Sequence, residues 1–236
     1  MNNTYYETLD KNFNMALELI NKPLNHEELI ELLRSGNIAE RQLAALRLDK
    51  LENQNDADIL IANLTGQDGK IREAVSLKIY EFMSNPDFVI YFENIQSYDV
   101  FLDAIIDINA NICRNIISAV SNLKDNKAFA TYFCRQLTTK TNALLNIIKE
   151  FNFQEGKYKV NKEVFKLYWY LETIYNFYNQ IDFQELKRIL LTAKNIEEYT
   201  IREKVAKILS LGFEDAELQQ ARTELKQDKN YYVRRY

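Results

Sequence analysis

Glycine and proline are scarce: the 236-residue chain holds five Gly and two Pro. Tight turns, sheet edges and phosphate-cradling loops need glycine where φ is positive or where backbone must approach a ligand. A chain this poor in both reads as long helices joined by short polar turns. Histidine occurs once, at His26, and cysteine twice, at Cys113 and Cys134. One histidine cannot build a His-rich metal site, and the sequence has neither a Cys-x-x-Cys pair nor a His-Glu-x-x-His motif. A Ser/His/Asp or Cys/His triad would have to use His26, and no strand-to-helix elbow presents a nucleophile near it. His26 is expected as an exposed residue in a first helical turn. The glycine patterns of dinucleotide-binding and P-loop sites are absent. No catalytic residue, metal or cofactor is therefore expected.

Long apolar runs are also missing, and none approaches the roughly 18–20 residues that span a bilayer. Residues Met1 to Glu7 lack the basic start and apolar stretch of a signal peptide. A cytoplasmic protein without a membrane partner is expected. The two cysteines fall in predicted helices among apolar neighbours and read as buried, reduced thiols. The formal net charge of −4 gives no global pull toward nucleic acid or anionic membrane.

What remains is helical periodicity. Leu29, Leu32 and Leu33 form one apolar stripe. Asn25 is a good N-cap for that helix, with Glu28 placed for a capping box. Ser35-Gly36-Asn37 stops it, with Gly36 suited to a left-handed C-terminal position. A second helix over about 39–52 carries Ala44, Leu48 and Leu51. A third near 56–65 carries Leu60 and Leu64. A fourth over about 70–83 carries Ile71, Val75, Ile79 and Phe82. Asp56-Ala57-Asp58 lacks the further ligands and the glycine of a calcium loop, and reads as helix-start charge. Helices of this length joined by short turns make αα-hairpins, and such a unit buries its apolar face only by stacking on its neighbours.

The second helix of each hairpin opens on a recurring pattern. It reads Asp68-Gly69-Lys70-Ile71-Arg72, then Glu198-Tyr199-Thr200-Ile201-Arg202, then Asn230-Tyr231-Tyr232-Val233-Arg234. An earlier copy, Ser35 to Arg41, has Ala39 and Glu40 between Ile38 and Arg41. Arg41 and Arg72 lie 31 residues apart, and Arg202 and Arg234 lie 32 apart. This polar-x-x-(Val/Ile)-Arg segment between paired helices resembles the HEAT-repeat family. The likeness covers 25–83 and 182–236. Between them, Asn109 to Arg114 fits with its arginine displaced by one, and Thr139 to Leu144 fits by position only. The resemblance implies an all-α solenoid of stacked antiparallel hairpins, with first helices on the convex face and second helices on the concave face. One continuous domain, 1–236, is expected, interrupted by irregular stretches at 84–96 and 152–181. The first carries a short apolar helix around 88–92, expected across a repeat junction. The second leads through Lys157, Tyr158 and Lys159 into a helix apolar on most of its circumference, which should be buried on two sides or cover a groove.

Two surfaces follow as candidates. On the second helices, Arg41, Arg72, Arg202 and Arg234 are expected to form a structural ladder between repeats. Arg47, Lys78, Arg114 and Lys207 remain for a partner. The aromatic segment adds Lys159, Lys162, Lys166 and Trp169, because interleaved cations and rings suit both phosphates with bases and protein hot spots. Asp103 and Asp107 stand four apart on one predicted helix, but like charges at that spacing are usually solvated, so a catalytic pair is disfavoured. The expected function is a non-enzymatic scaffold holding a protein or peptide in the concave groove. A nucleic-acid role resembling the HEAT-like alkylpurine DNA glycosylases is the alternative. The acidic balance disfavours it, since phosphate neutralisation supplies most non-specific affinity. HEAT-like lyases that attach bilins form a third class, for which no residue here stands out.

Overall fold

A computed structural model describes Ile20, residues 22–93, Ile95, residues 97–150 and residues 157–236, the side chains of 157–161 excepted. These residues form thirteen α-helices and no strand. In chain order they are α1 (His26–Ser35), α2 (Ile38–Arg47), α3 (Gln54–Ala62), α4 (Gly69–Met83), α5 (Pro86–Glu93), α6 (Asp99–Ala104), α7 (Ala110–Ser121), α8 (Lys127–Lys149), α9 (Lys157–Phe177), α10 (Phe183–Ala193), α11 (Tyr199–Leu209), α12 (Ala216–Leu225) and α13 (Tyr231–Arg234).

The asparagine-rich turns act as helix starts. Side chains of Asn25, Asn37, Asp68, Asn109, Asn126, Asp182, Glu198, Asp215 and Asn230 each accept a backbone N–H in the first turn that follows. Each such cap is worth about 1 kcal/mol over alanine. Asn25 with Glu28, and Asn37 with Glu40, complete reciprocal capping boxes.

The helices gather into two compact units, residues 1–123 and 124–236. In the first, α1 packs on α2 and α3, while α2, α4 and α7 lie side by side in a row. Leu33, Leu48, Leu60, Leu64, Ile79 and Phe101 are fully buried between them. The short apolar helix α5 packs on both α3 and α4. In the second unit α8, α10 and α12 form one row and α9, α11 and α13 another. Its core centres on Phe129, Phe133 and Phe177, whose ring centroids lie 4.9, 5.2 and 6.4 Å apart. No described helix is long and apolar enough to cross a membrane.

Several local expectations are corrected. Helix α2 ends at Arg47, because Leu48 turns extended (φ −66°, ψ 116°); Leu48 and Leu51 then enter the core from the loop. No helix starts near Thr139. Helix α8 runs unbroken through that region, and Thr139 and Thr141 donate back to the carbonyls of Arg135 and Leu137. Residues 151–156, where the second irregular stretch begins, lie outside the described residues. Gly36 is not left-handed (φ −67°). It is needed for space: a Cβ there would stand 2.5 Å from the Leu32 carbonyl oxygen and 2.9 Å from Glu40 Cβ. The α1–α2 connection is just Gly36 and Asn37, so no slack exists to relieve that clash. Gly36→Ala is expected to destabilise the first unit by about 1–3 kcal/mol, measured by urea unfolding followed by circular dichroism; an unchanged midpoint would show that the turn relaxes freely.

Candidate functional site

The arginines that open the second helices point back across their own starting turn. Arg72 donates through Nη1 to the Gln67 carbonyl, and through Nε and Nη2 to the two oxygens of Asp107 at 2.7 and 3.1 Å. Arg202 donates through Nη1 to the carbonyls of Ile196 and Glu197, and through Nε and Nη2 to Asp228 at 2.6 and 3.3 Å. Both pairs are largely buried. Arg41 is a looser member, bonding the Gly36 carbonyl at 2.7 Å and the amide oxygens of Asn63 and Gln67 at 3.3 Å. Arg234 bonds the carbonyls of Asp228 and Lys229. The four expected ladder arginines thus all grip their own starting turn, and three reach across to the next.

Asp107 is therefore no member of a carboxylate pair with Asp103. Helix α6 stops at Ala104, and Asp107 lies in the following turn, held by Arg72 and by the Asn109 N–H. His26 is also corrected. Rather than exposed, it packs inward with Nε2 2.9 Å from Asp56 Oδ2, and Asp56 accepts the Glu52 N–H as well. Both thiols are buried, and burial pushes Cys113 and Cys134 up to about 12. Thiolates, the nucleophilic form, are negligible at neutral pH there.

The expected partner-binding residues are dispersed. Lys78 is buried on α4 and paired with Glu81 at 2.6 Å. Arg47 donates to the Lys22 carbonyl, and Arg114, exposed on α7, donates to Asn111. Lys162 is exposed, Lys166 is paired with Glu163 at 3.2 Å, and the Lys159 side chain lies outside the described residues. Trp169 is turned into the core at 5% exposure, edge-on to Tyr168 and Phe165. Its bulk and the apolar circumference of α9 favour burial over presentation to a ligand.

Lys207 alone leads to a cluster, and the cluster has members that periodicity did not single out. On α9, Glu172 accepts Lys204 at 2.6 Å and Lys207 at 2.8 Å. The same ammonium groups sit over rings: Lys204 lies 4.2 Å from the Tyr168 centroid and Lys207 4.0 Å from that of Tyr175. Tyr168, Glu172 and Tyr175 share one face of α9, at spacings of four and three; Lys204 and Lys207 share one face of α11. Reading the two helices as partners would have revealed the match. Burial opposes the charge on Glu172, yet both lysine bonds outweigh it and hold the carboxyl below its ordinary value. Burial likewise opposes Lys204, and its contacts with Glu172 and Tyr168 raise its pKa nonetheless.

The same face continues onto α13. Arg235 bonds Glu203 of α11 at 2.7 Å and lies over the rings of Tyr232 and Tyr236. Tyr199 and Tyr232 stand 6.4 Å apart with 39% and 51% of their surface exposed, and Tyr231 beside them is 62% exposed. Elsewhere in the second unit, a groove of about 590 Å³ is lined by Ile148, Lys149, Arg188, Leu191, Ile196 and Glu197. Among the described residues no cluster of His, Cys, Asp and Glu has the makings of a metal site. No family model, no curated protein and no solved structure matches this chain.

The ladder carries a pH signature. The Arg202 bonds, foremost, hold the Asp228 carboxyl below its usual range. A carboxyl with a depressed folded pKa adds stability above its unfolded value, about 3.9, and loses it as pH falls through the lower folded value. Trp169, the only tryptophan, lies in the second unit and reports its unfolding. Asp228→Asn is expected to cost about 1.5–3 kcal/mol at pH 7, and the gap to the parent should narrow as pH falls below the unfolded carboxyl value. A cost that is the same at pH 7 and pH 3 in urea titrations would contradict the ion pair as its source.

Proposed function

We propose that the chain is a non-enzymatic interaction module, a HEAT-like stack of helical hairpins that takes a protein or peptide partner on the face of its second helices. The observation that carries this reading is the exposed tyrosine patch on α11 and α13. Tyr199, Tyr231 and Tyr232 stay in solvent, whereas the other residues of α11 are buried or half-buried and Val233 of α13 is buried. Tyrosine offers a large, stiff, amphipathic contact surface with little rotamer entropy to lose, which is why it dominates interface hot spots. The guanidinium of Arg235 and the lysine–glutamate cluster flank the patch as a polar rim.

Support for a non-enzymatic role comes from how the buried ionisable groups are committed. Asp107 and Asp228 hold arginines, Asp56 holds His26, and Glu172 holds two lysines. Each of these carboxylates is engaged by a basic side chain, a commitment to the fold that disfavours a role in proton transfer. The same commitments weigh against nucleic acid. Lys204, Lys207 and Arg235 already face carboxylates on the protein, so little net positive field remains to release counterions from a phosphate chain.

The test is capture from native extract with tagged parent protein and with the Tyr199→Ser/Tyr232→Ser double variant, both after nuclease treatment. A protein recovered with the parent is expected to fall at least about tenfold with the variant, while the variant melts at the parent's temperature. Recovery that is nuclease-sensitive, or equal for both baits, would refute this reading.

A further inference from the structure

Charge pairing along α12 is one-sided. The acidic groups of the helix and its N-cap all reach α10: Asp215 and Glu217 take Lys187 at 2.8 and 2.9 Å, and Glu224 takes Lys194 at the end of that helix. The basic groups, Arg222 and the C-cap Lys226, have no such partner. Arg222 Nε is shut off from solvent without an acceptor, and neither side chain bonds another described residue. The acidic residues two positions either side of Lys226, Glu224 and Asp228, are already held by Lys194 and Arg202. Like charges four apart on a helix repel, so this face is left with uncompensated positive charge.

Those two cations line a pocket of about 370 Å³ between α12 and the end of α11. Gln219, Arg222 and Lys226, at spacings of three and four, share one face of α12. Beside them the lining is apolar. Leu209 and Leu218 are buried, and the Phe213 ring is braced edge-on by Tyr178. The chain reverses at Gly212 (φ 87°), and the Gln219 side-chain amide donates to the Phe213 carbonyl at 3.2 Å, which ties the turn to α12. No acidic side chain lines the pocket. Its volume falls within the range of small-ligand sites, and apolar walls with a few convergent polar groups are their usual composition.

We propose that this pocket binds a small organic acid, its carboxylate held by Arg222 and Lys226 and its apolar body set against Leu209, Phe213 and Leu218. A guanidinium suits the two oxygens of a carboxylate, and the exposed ammonium of Lys226 adds a point charge. A bare inorganic anion would leave the apolar walls wet. An uncharged apolar compound would leave both cations without a counter-charge. A molecule that carries both parts matches the whole lining. The pocket includes none of the tyrosines on α11 and α13, so the inference does not rest on the partner reading, and its test uses the pure protein alone.

A nuclear magnetic resonance titration of the isotope-labelled full chain with phenylpropionate decides it, with the amide signals of Gly212, Gln219 and Arg222 as reporters. Shifts at these positions are expected to saturate with a Kd of about 1 mM or tighter. Phenylpropanol keeps the ring and lacks the charge; inorganic phosphate keeps the charge and lacks the ring. Each should bind at least about tenfold more weakly than the acid. Arg222→Gln should weaken phenylpropionate at least about tenfold, and Lys226→Gln at least about threefold. Lys226 is exposed, so its variant keeps the fold and gives the answer even where Arg222→Gln does not fold. Shifts that stay linear to about 20 mM, an alcohol or a phosphate that binds as tightly as the acid, or folded variants that keep the parent's affinity would each overturn the proposal.

Discussion

The guanidinium groups of Arg72 and Arg202 are the interaction on which the packing of neighbouring helices in each unit depends. A helical hairpin with one apolar face has many ways to lie on its neighbour, and hydrophobic burial alone does not choose among them. Arg72 and Arg202 add direction. Each ties the carbonyls of its own turn to an aspartate in a following turn, and the aspartate in turn accepts the N–H of the asparagine that caps the next helix. The link therefore satisfies backbone groups at a helix start while setting the position of that start. Lysine could not replace it, because a point charge lacks the planar fork that addresses two carboxylate oxygens and a carbonyl together.

The row formed by α9, α11 and α13 shows how the second unit handles its surplus of charge and aromatic surface. Helix α9 is apolar around most of its circumference, and Trp169, Leu171, Ile174 and Phe177 enter the core. The residues left over, Tyr168, Glu172 and Tyr175, would be poor solvent contacts alone. They become a receptor for Lys204 and Lys207, whose charges are balanced by Glu172 and whose stems lie against the rings. Cation–π contact and charge pairing act together there, and their partial burial strengthens both. Further along the row the pairing thins out, and the tyrosines of α11 and α13 remain exposed.

The Gly36 turn illustrates the same economy at the other end of the chain. The Gly36 N–H bonds the Leu32 carbonyl at the end of α1 and the Asn37–Glu40 capping box opens α2 at the next residue, so α1 stops and α2 starts with almost no loop. The glycine is required because the Leu32 carbonyl and Glu40 close on it from both sides, not because its backbone is left-handed. Close approach and unusual dihedral angles both select glycine, and only coordinates separate them.

Local chemistry in the sequence was enough to determine the all-helical class. Scarce glycine and proline, apolar stripes at helical spacing and an asparagine or aspartate before the stripe specify helix position within a few residues at α1 and α4. The recurring helix-start arginine was also legible, since it sits at a fixed offset from its cap. What only the tertiary structure decided was every pairing across helices. The Arg72–Asp107 link spans 35 residues, His26–Asp56 spans 30 and Lys207–Glu172 spans 35. Periodicity tells which residues share a face of one helix; it carries no information on which face of another helix arrives opposite. That is why Trp169 and Lys78 looked available for binding and proved buried, and why Glu172 and Lys204 drew no notice until α9 and α11 were seen side by side.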